Sequence, residues 1–366
     1  MLIERLHEKY LLYPLLHPLR FKHLQRELQE FGITLPSDNE VTVSQEVEFY
    51  LLAESIEDLE DDEKLSKVVE ILRDLNLHLD YYHTYEINLP PVRLLKKDSV
   101  VKVISEAIKL VEEIGLPYIS EYYDRSEGVY RGVGAHVHIR LPKNPTLWTK
   151  FINWATVVTP LLAPLISVSV RYKYGRTYTC RTSSEYFFRL ASTHYCIPPL
   201  RVNKELVKRI LEREGYLRFR GYIPIPNDNQ WFAVEINAYR KVDLTIELRV
   251  PENHFITGLA YAEVIYKLAE KFSSPKISRE SYEDLWRTYV YDATYGTPRD
   301  VSDYVRIKVE RDVSKLLSSK MSPVEFCNQL LDVLELSSWT KELINTIACG
   351  RAVSRSLAYE VFSKYF

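Results

Sequence analysis

The sequence predicts an α+β fold in which strands and helices alternate irregularly and the C-terminal part is helical. Segments with alternating residues, such as VTVSQEVEFYLL at 41–52, are typical of half-buried strands. Segments with helical spacing separate them without the regular order of βαβ units. From about residue 281 the pattern is helical to the end, which completes the prediction.

Three parts are predicted along the chain: a helical segment at 1–40, a larger domain at 41–272 and a helical part at 273–366 that packs on it. Further strands are predicted at 77–89, 134–141, 216–225 and 243–250. Helices are predicted at 61–77, 98–114, 258–272, 302–317 and 322–336, with a long buried helix after Pro142 and an arginine-rich loop at 172–189.

Composition and charge exclude several classes of protein. The chain has 366 residues, of which 46% are hydrophobic and 27% charged, as in ordinary globular proteins. A net charge of −2 argues against a nucleic-acid partner. The four cysteines form no CxxC pair, and the N-terminal residues lack the layout of a signal peptide, so a cytoplasmic location is expected.

One apolar run, at 151–170, is nearly long enough to span a bilayer. Pro160 and Pro164 interrupt it, and no other segment resembles a span. We therefore expect a buried helix of a globular core there and no membrane partner.

Three predicted strands carry a polar pair at positions i and i+2, which project from one face of a strand. The pairs are Glu46 and Glu48, His136 and His138, and Glu247 and Arg249. An ionised group within apolar flanks is costly to bury without a partner, and a shared metal ion would satisfy all three strands. Carboxylates with a single imidazole suit Mg²⁺ or Mn²⁺ better than structural zinc. Any one pair alone is equally explained by an exposed sheet face.

These elements together resemble the glutamine synthetase and glutamate–cysteine ligase superfamily of carboxylate–amine ligases. SQEVEFYL is similar to the family's first-strand ExEF element, and HTYEINLPP to the element that ends in its next metal glutamate. GVGAHVHIRL is close to its GxGxHxH strand, and TIELRVPEN to its RIEVR-type strand. The resemblance covers roughly 44–272 and implies a curved antiparallel sheet of the glutamine-synthetase catalytic-domain type with helices packed outside.

The resemblance also implies two metal sites and an ATP co-substrate. Glu46, His136 and Glu247 would hold one Mg²⁺ or Mn²⁺ ion near the terminal phosphates of ATP. Glu48 and Glu86 would hold the second ion, beside the acceptor carboxylate.

Further residues take roles from the same resemblance. His138 would approach the nucleotide, Arg249 the phosphate being transferred and Arg171 the substrate carboxylate. Asp80 is a candidate for the family's additional metal glutamate, and His78 a weaker one. Any of four arginines in the following part of the chain could bind phosphate, namely Arg176, Arg181, Arg218 and Arg220.

The chain departs from the family in ways that leave alternatives open. It lacks an evident N-terminal β-grasp domain and flap glutamate, so the amine is expected to be larger than ammonia, as a small molecule or a protein side chain. The leading hypothesis is an amide-forming ligase that works through an acyl phosphate. The alternatives are a phosphotransferase acting on a guanidino or amine acceptor, a metallohydrolase built on the HxH strand, and a non-catalytic binding protein. A homodimer is compatible with each.

Overall fold

The structure, a computed structural model, describes only part of the chain. The described residues are 39–49, 78–79, 85–88, 92–95, 121–124, 129–132, 135–166, 170–173, 176–179, 195–196, 202–212, 231–232, 234–237, 244–248, 255–282, 285, 305–306, 308–309, 320–351 and 353–366.

The architecture is a mixture of helices and antiparallel strands, which confirms the predicted α+β class. The helices are α1 (Pro145–Val158), α2 (Ala163–Ile166), α3 (Lys204–Glu212), α4 (Phe255–Lys271), α5 (Pro323–Val333), α6 (Ser338–Ala348) and α7 (Arg355–Tyr365), with a 3₁₀ turn at Pro160–Leu162. The strands are β1 (Thr42–Phe49), β2 (His78–Leu79), β3 (Tyr85–Asn88), β4 (Val92–Arg93), β5 (Glu121–Asp124), β6 (Val129–Gly132), β7 (Ala135–Arg140), β8 (Val170–Lys173), β9 (Arg176–Thr179), β10 (Tyr195–Cys196), β11 (Trp231–Phe232), β12 (Val234–Asn237), β13 (Thr245–Leu248), β14 (Pro275–Lys276), β15 (Val305–Arg306), β16 (Lys308–Val309) and β17 (Lys320–Met321).

A seven-stranded open sheet forms the centre of the described fold. Its strand order is β12-β13-β7-β1-β3-β2, and β4 also pairs with β1. Every pairing in this sheet is antiparallel. The strands that the sequence singled out, β1, β3, β7 and β13, are therefore neighbours although they are widely separated along the chain.

The register divides this sheet into an apolar face and a polar face. Residues directly opposite one another in an antiparallel pair lie on the same face, and alternate residues lie on opposite faces. Apart from Gln45 and Tyr85, the apolar face contains only apolar residues on the paired strands. The other face contains only polar and charged residues, and we call it the polar face.

Helix α4 covers the apolar face at close range. Gly258 lies where a β-carbon would come within 3.0 Å of Val137 Cγ2 and 3.5 Å of the Gln45 amide. Val137 is fully buried, so it has little room to move, and the absence of a side chain at position 258 lets helix and sheet approach. Helix α1 packs on α4, and the Thr159 hydroxyl just after α1 bonds the buried Tyr261 hydroxyl.

The C-terminal helices are tied to α4 through a buried carboxylate. Glu263 is only 1% exposed and accepts hydrogen bonds from the Ser337 backbone N–H at 2.6 Å and from the Ser337 and Thr340 hydroxyls at 2.5 Å each. These donors lie at the N-terminus of α6, where Ser337 makes no capping bond with its own side chain. Glu263 therefore caps α6 from another helix, and its charge is favoured by the helix dipole.

Several predicted elements are found and two predictions are wrong. The predicted helices at 258–272 and 322–336 correspond to α4 and α5, the latter begun by a capping box of Ser322 and Glu325. The predicted loop at 172–189 instead contains strand residues of a β8–β9 hairpin, since RTYT is rich in residues that favour strands. The predicted helix at 302–317 instead contains β15 and β16, whose partners β17 and β14 are distant in sequence.

The apolar run at 151–170 is broken into α1, the 3₁₀ turn and α2, in agreement with its two prolines. Within the described part of the chain, no helix has both the length and the hydropathy needed to cross a membrane. The predicted helices at 1–40, 61–77 and 98–114 and the predicted strand at 216–225 lie outside the described residues, except for 39–40, which form part of a turn and bend. The division of the chain at 40 and 272 stays a prediction, as does the curvature of the sheet.

Candidate functional site

The polar face brings most of the predicted metal-binding positions onto adjacent strands. Position 46 on β1 is directly opposite His136 on β7, and position 48 is directly opposite Glu86 on β3. Glu247 on β13 is directly opposite His138 on β7. Neighbouring strands lie about 4.8 Å apart, so this register gathers five of the six predicted metal positions and His138 into one patch.

Glu247 and His136 are in contact within this set. Glu247 Oε1 lies 3.4 Å from His136 Nδ1, and the two side chains are 1% and 9% exposed. A charge-assisted hydrogen bond between such groups is about 2.7–2.9 Å long. The adjacent ligand atoms of an octahedral ion, at bonds of about 2.1 Å, are separated by about 3 Å. At 3.4 Å the pair is longer than a tight ion pair, and its spacing is compatible with two ligands of one ion.

His138 contacts a different residue of β13, the strand that carries Glu247. Its Nδ1 lies 3.3 Å from the hydroxyl oxygen of Thr245, and both residues are buried. Thr245 and Glu247 occupy positions i and i+2 of β13, just as His136 and His138 do on β7. Two side chains of β7 therefore contact two side chains of β13: the imidazole of His136 contacts the Glu247 carboxylate, and the imidazole of His138 contacts the Thr245 hydroxyl.

Two pairs of glutamates occupy directly opposed positions on the polar face. They are positions 48 and 86 across β1 and β3, and positions 235 and 247 across β12 and β13. Like charges directly opposite each other destabilise a sheet. Carboxylates crowded in this way are stabilised by nearby positive charge, which Arg140 on the same face or bound divalent ions could supply.

The remaining predicted residues are described only in part or not at all. Arg171 lies on β8 opposite Tyr178, and Arg176 lies on β9 opposite Lys173. Among the described residues, this hairpin is a separate two-stranded sheet. His78, the weaker alternative to Asp80, is directly opposite Glu86 on the polar face. The other candidates lie outside the described residues, namely Asp80, Arg181, Arg218, Arg220 and Arg249.

Sequence reasoning missed several positions of the polar face. Strand β12, with sequence VEIN, adds Glu235 and Asn237 beside β13, and β1 and β3 add Ser44 and Asn88. The alternation of VEIN is the same two-residue period that identified the other strands, so the signal was present in the sequence. Thr245 carried no comparable signal, because a threonine in a strand is ordinary.

No complete metal cluster is present among the side chains that the structure describes, where no three His, Cys, Asp or Glu residues are grouped so as to hold an ion. The side chains of Glu46, Glu48 and Glu86 do not belong to that described set. The donor types that the register brings together, carboxylates with one imidazole, fit Mg²⁺ or Mn²⁺. The assignment of metal ligands stays a prediction.

Comparison with known proteins finds similarity only at the level of solved structures. No protein-family model matches the chain, and no curated protein matches it. A bifunctional glutathione synthetase from Pasteurella multocida aligns with a TM-score of 0.47 and 12% identity over 89% of this chain and 50% of that one. The complex between the prokaryotic ubiquitin-like protein Pup and its ligase PafA aligns with a TM-score of 0.37 and 7% identity over 90% of this chain and 63% of that one. The chain thus spans half to under two thirds of the length of these structures, and likeness at this level says nothing about its activity.

Proposed function

We propose that this protein is an ATP-dependent carboxylate–amine ligase whose active site is the polar face of the sheet. The observation that carries the proposal is the pair of opposed glutamate positions, 48 with 86 and 235 with 247, on either side of the HxH strand. A sheet face that concentrates negative charge around two histidines needs cations, and bound divalent ions attract the phosphates of a nucleotide.

The ligands in this proposal are those implied by the family resemblance. Glu46, His136 and Glu247 hold one Mg²⁺ or Mn²⁺ ion, and Glu48 and Glu86 hold the other. The 3.4 Å spacing of His136 and Glu247 and the burial of both side chains support the first set. When bound, the ions neutralise charge on the phosphates of ATP and on the transferring phosphoryl group. Asp80 remains a candidate addition to the second set.

The reaction proceeds in two steps. An oxygen of the substrate carboxylate attacks the γ-phosphorus of ATP, the bond to ADP breaks, and an acyl phosphate forms. The amine nitrogen then attacks the acyl carbon, inorganic phosphate leaves, and the nitrogen loses a proton as the amide forms. His138 contacts the nucleotide, Arg249 the transferring phosphoryl group and Arg171 the substrate carboxylate, with Arg176, Arg181 and Arg220 available for phosphate. The protein contributes orientation and charge rather than a covalent intermediate of its own.

Isotope transfer tests this mechanism directly. The protein is screened with ATP, Mg²⁺ and pairs of carboxylic acids and amines, including amino acids and small peptides, for release of inorganic phosphate. For an active pair, the acid is then supplied with oxygen-18 in its carboxylate. We expect one labelled oxygen in the released phosphate, and phosphate release that requires both acid and amine.

Other outcomes would assign the site differently. A phosphorylated amine or guanidino product without inorganic phosphate would identify a phosphotransferase and overturn the ligase proposal. Hydrolysis that needs zinc and no nucleotide would overturn it as well, in favour of a metallohydrolase.

A further inference from the structure

The two histidines of the HxH strand differ in what their neighbours on β13 can offer. The Glu247 carboxylate lies 3.4 Å from His136 Nδ1 and, when ionised, has only lone pairs to present. The Thr245 hydroxyl lies 3.3 Å from His138 Nδ1 and has both a proton and lone pairs. A hydrogen bond in which Nδ1 is the acceptor is therefore available to His138 through Thr245.

Burial makes this contact well placed to fix the ring. His138 is 2% exposed and Thr245 is 9% exposed, so water competes little for their hydrogen bond. Thr245 is β-branched and lies in a strand, where its side chain has few rotamers. A stiff, buried hydroxyl at this distance restricts the orientation of the imidazole, and where it donates to Nδ1 it also fixes the ring proton on Nε2.

We propose that Thr245 is a positioning residue for His138, whose hydroxyl donates to Nδ1 and thereby keeps the ring proton on Nε2. The inference rests on the proposed function in one respect, the direction of this hydrogen bond. The oxygens of a nucleotide phosphate only accept hydrogen bonds, so a neutral histidine that contacts them must donate from Nε2. The pairing of TIE with HVH then gives each histidine a separate task, His136 with the ion and His138 with the nucleotide.

The test uses nitrogen-15 NMR of the full chain with labelled histidine, without nucleotide or metal, with the His138 signals assigned from a His138→Gln sample. The wild-type protein is expected to show a pyrrole-type, protonated Nε2 and a pyridine-type Nδ1. Thr245→Val keeps the shape of the side chain and removes the hydroxyl, and we expect its spectrum to shift towards a mixture of the two tautomers. Thr245→Ser retains the hydroxyl and should retain the wild-type pattern.

Kinetics supply a second measurement once an active substrate pair is known. Loss of a single hydrogen bond that orients a ligand group should raise the KM for ATP about tenfold in Thr245→Val, with a smaller change in kcat and little change in Thr245→Ser. A structural role alone would lower the unfolding midpoint without this separation of KM from kcat.

The inference is overturned if the wild-type proton lies on Nδ1 or on both nitrogens, or if Thr245→Val leaves the His138 signals unchanged. The wild-type spectrum decides the first point even if the valine variant does not fold. Because the spectra are recorded without nucleotide, their result is independent of the proposed function. Absence of ATP binding alongside the expected spectra would refute the ligase and leave the hydrogen bond standing, whereas ATP binding with unchanged spectra would refute only the role of Thr245.

Discussion

Replacing Glu247 with glutamine is expected to reduce ATP-dependent turnover at least about 100-fold, because removing one group that stabilises charge in a transition state typically costs this much. Glutamine has nearly the same size as glutamate but is a poor ligand for a divalent ion. The measurement is the rate of phosphate release with an active acid–amine pair. Glu270→Gln is the matched control, since that side chain is 53% exposed on α4 and should leave the rate unchanged.

The same variant separates a metal ligand from a structural ion pair. Glu247 is 1% exposed, so as a ligand without its ion it is a buried charge, and neutralising it should leave the protein in chelator as stable as wild type or more stable. If the carboxylate instead served a structural pair with His136, glutamine would lower the free energy of unfolding by about 3 kcal/mol or more. Urea unfolding in chelator distinguishes these results, and a large loss of stability there would contradict the assignment of Glu247 as a ligand.

Replacing Glu263 with alanine is expected to lower the free energy of unfolding by about 3 kcal/mol, since it leaves buried donors at the start of α6 without their acceptor. Thr340 is fully buried, so its hydroxyl cannot turn to water for a partner. The favourable interaction of the Glu263 carboxylate with the N-terminal end of the α6 dipole is lost at the same time. Glu263→Gln retains an acceptor oxygen and should lose less stability than alanine.

Urea unfolding followed by tryptophan fluorescence measures this effect. Glu270→Ala, two turns further along α4 and exposed, is the control, and its contacts with Tyr266 and Lys267 should be worth less than about 0.5 kcal/mol. Equal stability of the Glu263 and Glu270 variants would show that the carboxylate does not hold α6.

The strands that build the polar face were predictable because each signals itself locally. VSQEVEF, AHVHIR and TIEL have the two-residue alternation of half-buried strands, and GLAYAEVIYKLAEK has the apolar content of a buried helix. Their adjacency in the sheet was not readable from spacing alone. It was expected from the polar pairs that a shared metal ion would satisfy and from the resemblance to carboxylate–amine ligases, and β1, β7 and β13 are neighbours in the sheet.

What sequence reasoning missed depends on contacts between distant residues. The role of Glu263 cannot be seen in LAYAEVIY, because its hydrogen-bond donors lie more than 70 residues away at Ser337 and Thr340. The contact of Thr245 with His138 could not be predicted either, because the histidine lies 107 positions earlier in the chain. The sequence predicts a helix where the short strands at 305–306 and 308–309 lie, because VRIKV is compatible with either period over so few residues.

The most direct test of the central claim is the thermal stability of the purified protein with and without ATP, in Mg²⁺, in Mn²⁺ and in chelator, alongside Glu46→Gln. A ligand that binds only the folded state raises its stability in proportion to the logarithm of ligand concentration over Kd. The account predicts stabilisation that requires both ATP and a divalent ion and that is lost in Glu46→Gln. No stabilisation under any condition, or one that the Glu46 variant retains in full, would contradict the claim that the polar face binds a nucleotide through metal ions.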